Sequence, residues 1–197
     1  MNKKSTVLTK AEILDAAEAA LRKYGPDKTS VTDVAKMLKV SHGTLYRHYE
    51  SKSALKEAVT ERWLEQKIVA PLTEVSSMQE ENKAEHLKRY IRGLIELKRE
   101  FSRNDPEMFR MYAEVTEAAA DLIYQHLSVI TGQLESLIAA GMENGQIRSG
   151  DAGALAQAIF HATSRFHHPS HAYEWSAPEI DGQFEQVWDL LARGFIL

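Results

Sequence analysis

Apolar residues recur at helical spacing along most of the chain. Ile13, Leu14, Ala17, Leu21 and Tyr24 form a first stripe. Thr9 and Glu12 stand at the capping positions before it, and Gly25-Pro26 ends it. Ser30 and Asp33 open a short second helix on Val34, Ala35 and Leu38. Lys39-Val40 turns the chain, Ser41 caps a third helix, and Leu45 and Tyr49 give that helix its inward face. Ser51 opens a fourth on Leu55, Val59, Trp63 and Leu64, which Pro71 kinks or ends. A polar loop is predicted over Ser76 to Lys83. Next comes a helix on Leu87, Ile91, Leu94, Ile95, Lys98 and Phe101. Asn104-Asp105-Pro106 breaks it, with Asp105 as cap and Pro106 at the first position of the next helix. A long helix follows from near Ala119 to Ile138, and three glycines between Gly141 and Gly150 mark a turn. Two more stripes close the chain. One is rich in small residues from Ala152 to Ala162, and the other runs from Ile180 to Phe195. No stretch alternates with the period of a strand, so the expected class is all-α.

Composition narrows the class. Hydrophobic residues make up 44% and charged residues 26% of 197, which are globular values and enough chain for a core or two. Cysteine is absent, which removes disulfides, thiol nucleophiles and cysteine-based zinc sites. The opening MNKKSTVLTK lacks the apolar stretch of a secretory signal, and no run reaches the ~18 apolar residues a membrane span needs. A cytoplasmic protein is expected, with no membrane partner. The net charge of −4 divides unevenly. Residues 1–67 hold 13 Lys/Arg against 9 Asp/Glu, and residues 68–197 hold 11 against 19. A basic end on an acidic body suits a protein that meets phosphates at one end only.

That basic end contains VTDVAKMLKVSHGTLYRHYESK. The capped first helix, the S-x-G-T-L-Y-x-H-aromatic run from Ser41 to Tyr49 and the following Ser51-Lys52 resemble the helix-turn-helix of the tetracycline-repressor-like (TetR/AcrR) family. The resemblance covers Ala11 to about Val59 and departs at His42, where many relatives carry lysine. It implies a nine-helix, two-domain, all-α architecture. A three-helix DNA-binding head would occupy residues 1–52, with the helix-turn-helix at about 30–49. A connector helix would follow over 53–72, then a ligand-binding and dimerisation domain over 73–197. It also implies a homodimeric transcription regulator, a repressor released from a palindromic double-stranded operator by a small-molecule inducer. No cofactor, metal or catalytic activity is expected.

The second helix of such a motif enters the major groove with its leading residues nearest the bases. The expected DNA contacts are therefore Ser41, His42, Gly43, Thr44, Tyr46, Arg47, His48 and Lys52, with Val31 and Thr32 meeting the backbone. Hydroxyls at Ser41, Thr44 and Tyr46 suit phosphate oxygens, and Gly43 permits close approach. His42, Thr44 and Arg47 are the candidate base readers, since base edges carry the sequence. Tyr46 could instead be partly core. Lys3 and Lys4 could reach DNA from the tail. The inducer pocket is bracketed by Phe101, Met108, Phe109, Met111, Tyr112, Tyr124, Phe160 and His161, although methionine and aromatics at helical spacing also make ordinary core. For the dimer, Leu155, Ala158, Ile159, Ala162, Phe184, Val187, Trp188 and Leu191 are expected at the interface. Burial within one chain is the alternative, and a two-headed operator complex needs heads about 34–36 Å apart.

One cluster supports a different class. HATSRFHHPSHAYEW holds His161, His167, His168 and His171, with Glu174 as a carboxylate. Read as ligands, they would make a histidine-cluster metal-dependent enzyme or a metal sensor. Pro169 interrupts any helix that would align His167 with His171, and imidazoles near a helix end also serve its free carbonyls. A helical adaptor without DNA binding is the third reading.

Overall fold

The computed structural model describes residues 8–197. Lys3 and Lys4 lie outside them. Among the described residues the chain is helical, with an isolated bridge between Ile147 and Ile196 as its β contact. Nine α-helices are formed by these residues if the fourth is counted through a π-helical turn. They are α1 (Lys10–Tyr24), α2 (Val31–Leu38), α3 (His42–Tyr46) and α4 (Lys52–Leu64, continuing through Glu65–Val69 and Ala70–Ser76). After them come α5 (Lys83–Asn104), α6 (Pro106–Ala118), α7 (Ala120–Glu143), α8 (Ala152–Ala162) and α9 (Ile180–Phe195). Short 3-10 turns occupy Ser164–Phe166 and Pro169–Glu174.

The described residues divide into two compact units, one of residues 8–62 with 105–119 and one of residues 63–104 with 120–197. In the first, Thr9 and Glu12 form a reciprocal capping box, as do Ser30 and Asp33. Each satisfies two backbone donors that a bare helix start would leave open. Ile13, Ala17 and Leu21 of α1 are buried, as are Val34 and Ala35 of α2 and Leu45 of α3. Arg62 reaches back from α4 to Asp15 at 2.8 Å and to Glu18 of α1. Lys56 meets Glu114 of α6 at 3.0 Å.

Two expectations need correcting here. Asp105 occupies the N-cap position of α6, but its side chain makes no capping bond. Its carboxylate accepts from Arg22 Nε at 3.1 Å and Nη2 at 3.0 Å, because a charged fork outcompetes a backbone N–H. Pro71 does not end α4. The turn before it widens, the Ala70 N–H bonding to the carbonyl of Glu65, and the helix runs on to Ser76, beyond the expected connector end at residue 72. A π turn opens the ladder where a proline supplies no N–H and would crowd the preceding turn.

In the second unit Leu87, Tyr90, Ile91 and Leu94 of α5 are fully buried, as are Leu134 and Ile138 of α7. The Tyr90 hydroxyl donates to Gln133 Oε1 at 2.6 Å. Gly141 is required in α7, since a Cβ there would stand 2.5 Å from Ile147 Cδ1. No helix among the described residues is long and apolar enough to cross a membrane.

Candidate nucleic-acid interface

The turn between α2 and α3 rests on Lys39, which adopts φ 55, ψ 39. Its N–H closes α2 onto Lys36 and Ala35, and Val40 N bonds to the Ala35 carbonyl at 3.1 Å. A left-handed residue at this place is the common helix stop, though glycine would adopt it with less strain. Ser41 then caps α3, its Oγ accepting from Thr44 N at 3.2 Å and lying 2.8 Å from Thr44 Oγ1. Leu45, 1% exposed, anchors the helix from below.

That anchor leaves the opposite face outward. Thr32, Ser41, His42, Gly43, Tyr46, Arg47 and Lys52 are exposed, and Thr44 and His48 are half-buried. The His42 and Tyr46 rings meet edge to face with centroids 4.7 Å apart, one turn of α3 along. Tyr46 is 42% exposed, so it is not a core residue. Arg47 Nη2 reaches Thr44 Oγ1 at 3.4 Å. Val31 is the exception among the expected contacts. Its side chain is buried, because the first helical position of α2 points toward α1. Asp33 is held below the usual carboxylate range by the Ser30 hydroxyl and N–H.

The family-level comparisons agree with this geometry. The sequence profile described as bacterial regulatory proteins, tetR family, matches residues 13–59. The profile of the tetracyclin repressor-like C-terminal domain matches residues 84–188, more than half of the chain. The chain belongs to the tetR family. Within the family it is 37% identical over 51 residues to the HTH-type transcriptional regulator TtgR of Pseudomonas putida, covering 26% of this chain and 24% of that protein. The chain thus matches about a quarter of the length of this curated relative. Two solved structures share the fold. SmeT, the repressor of the Stenotrophomonas maltophilia multidrug efflux pump SmeDEF, has a TM-score of 0.65 at 20% identity, over 96% of this chain and 91% of that one. A protein of unknown function from Rhodococcus sp. RHA1 has a TM-score of 0.71 at 19% identity over 100% of both chains.

The remaining candidates are distributed more widely than the sequence suggested. Met108, Phe109, Met111 and Tyr112 are buried and belong to the first unit. Phe101, Tyr124, Phe160 and His161 belong to the second. Phe101 packs edge-on to Trp63 with centroids 5.4 Å apart. Tyr124, Phe160 and His161 line one open hollow of about 300 Å³ beside Leu127 and Gln157. Of the expected interface, Ile159, Phe184 and Trp188 are buried inside their own chain, because they form the inward stripes of α8 and α9. Leu155, Val187 and Leu191 are half-buried, and Ala158 and Ala162 are exposed.

The histidine-rich segment does not converge. His167 is buried beside the Phe160 ring and lies 3.3 Å from Thr163 Oγ1. His168 Nδ1 lies 2.7 Å from Ser170 Oγ, and His171 Nδ1 lies 2.9 Å from Glu174 Oε1. Glu174 also holds Arg165. Among the described residues no group of three His, Asp or Glu is placed to hold a metal ion. His167, His168 and His171 are each paired locally instead.

The apolar spacing concealed a different cluster. Lys98 is buried within the stripe of α5, and burial pushes its ammonium down to about 7. His126 of α7 falls to about 2 and His167 to about 3, first through burial and then through the Lys98 charge. A lysine at an inward helical position was the available sequence sign.

Proposed function

We propose that this tetR-family chain is a sequence-specific, DNA-binding transcription regulator, a repressor that leaves a palindromic operator when a small molecule binds. The supporting observation is the outward face of α3, capped at Ser41 and carried on buried Leu45. Ser41, Gly43, Thr44 and Tyr46 present the groups for phosphates and close approach. His42 and Arg47 are the exposed base readers, and Lys52 supplies a cation at the start of α4. Thr32 flanks them, and His48 contributes from its half-buried place. The basic first third steers this surface to a polyanion.

The regulator works in the cytoplasm as a homodimer. Its contact uses the faces of α8 and α9 that the chain leaves open: Leu155, Ala158, Ala162, Val187 and Leu191, extended by Leu190, which is 73% exposed. Small residues let helices of two copies approach closely, and a two-fold dimer matches a palindromic site. The inducer engages the C-terminal domain, where Phe101, Tyr124, Phe160 and His161 are the candidate contacts. Residues of α4 belong to both units. A ligand that binds the released form more tightly shifts the population through it. SmeT, named as the repressor of a multidrug efflux pump, shares the fold and supports the repressor reading.

Selection of bound duplexes from a random pool tests the reading. Enrichment of an inverted repeat, with affinity falling steeply as salt rises, is expected. A pool that stays random, or affinity indifferent to salt, would leave the helical adaptor as the better description.

A further inference from the structure

The second unit carries a groove of about 710 Å³ between α5 and the segment from Trp175 to the start of α9. Arg99 lies in its wall with a side chain only 12% exposed. Its Nη1 donates to Asp181 Oδ1 at 2.5 Å. Its other two nitrogens, Nε and Nη2, are buried and bond to nothing. These two are the parallel donors on the long edge of a guanidinium, the pair that matches both oxygens of a carboxylate. An idle buried fork of this kind is uncommon, because buried polar groups are almost always satisfied.

The walls indicate what the fork would take. Ile95, Ile180, Trp175 and Phe184 give the groove apolar surface, all four side chains being buried. Arg92 sits over the Phe184 ring at 5.5 Å and is engaged by Glu185. The lining holds Arg92, Arg99 and Arg103 against Glu96, Glu100 and Asp181, three charges of each sign. The groove as a whole is therefore close to neutral. A polyanion gains little from such a field, whereas a monoanion with a flat apolar body gains a bidentate bond and buried surface.

The geometry points to a binding site for an apolar monocarboxylate, with its carboxylate on Arg99 Nε and Nη2 and its body along Trp175 and Phe184. Both nitrogens lack accessible surface, so a ligand reaches them only as the wall around Arg99 gives way. Ser176 and Pro178 are exposed members of that wall. Asp181 keeps the guanidinium oriented and acts as a positioning residue. The site stands on these residues alone and does not depend on the operator reading.

Titration of the intact protein with benzoate, followed at the Arg99 Nε–H resonance, tests it. That resonance should move and saturate. Arg99→Lys keeps a charge for Asp181 but removes the fork, so benzoate affinity should fall roughly tenfold with the amide spectrum retained. Inorganic phosphate at the same concentration should leave the resonance in place. A resonance that benzoate does not shift, equal affinity in Arg99→Lys, or an equal response to phosphate would each overturn the proposal. The direct readout on the unaltered protein decides the matter should the variant misfold.

Discussion

At the scale of single residues, capping and reading are separable. The Ser41 hydroxyl closes the first turn of α3 through Thr44 N. Ser41→Ala should therefore lower stability by about 1 kcal/mol in thermal melts. Tyr46 bears no core load, so Tyr46→Phe should leave the melting temperature nearly unchanged. It should weaken operator binding by about 1 kcal/mol, roughly fivefold, in mobility shifts. Lys52→Ala should weaken binding to all duplexes alike and reduce the salt slope by about one. Full affinity in both variants would remove these residues from the interface. The caps at Thr9, Ser30 and Ser41 were legible in sequence because a hydroxyl before an apolar stripe has few other uses. Asp105 was not, since its partner Arg22 is 83 positions away and no local pattern reveals it. Lys39 was placed in the turn, but its left-handed backbone carries no side-chain signature.

At the scale of elements, helical period located the stripes but could not say what each would cover. For α2 and α3 the stripe and its partner lie close in sequence, so the inward face was read correctly at Val34, Ala35 and Leu45. For α8 and α9 the same logic placed Ile159, Phe184 and Trp188 between two chains, although they pack within one. The strongest stripe of a helix goes to the core it folds with. The π turn of α4 escaped notice because Pro71 normally signals a stop. Two substitutions test these packings. Leu45→Ala should cost about 2–5 kcal/mol, read by denaturant unfolding, and weaken DNA binding through the loss of α3. Gly141→Ala drives a methyl onto Ile147, buried at 1%, and should cost about 1–3 kcal/mol. A stable Gly141→Ala protein would mean that Ile147 is held less tightly than its burial indicates.

At the scale of the whole molecule, the buried bases give stability a defined dependence on pH. His126 and His167 are lowered to about 2 and about 3 from 6.5. Between those values the unfolded chain holds protons that the folded chain does not. Stability therefore rises with pH through that window and is lost as acid approaches it. Each histidine contributes at most about 1.4 kcal/mol per pH unit, and His167→Asn should flatten the acid limb by its share. Lys98, lowered to about 7 from 10.5, adds the same sign above neutrality. Unfolding midpoints that stay constant from pH 7 down to 4 would contradict this account of the cluster. The division into a basic end and an acidic body was plain from charge alone. The grouping of 105–119 with the first unit was not, because it depends on tertiary pairs such as Lys56 with Glu114.

The most direct test of the central claim is amide hydrogen exchange with and without a selected operator duplex. Protection should concentrate at the start of α3, from Ser41 to Thr44, and at the start of α4 near Lys52. Protection confined to other segments, with Ser41 to Thr44 exchanging as in the free protein, would show that this helix does not read DNA.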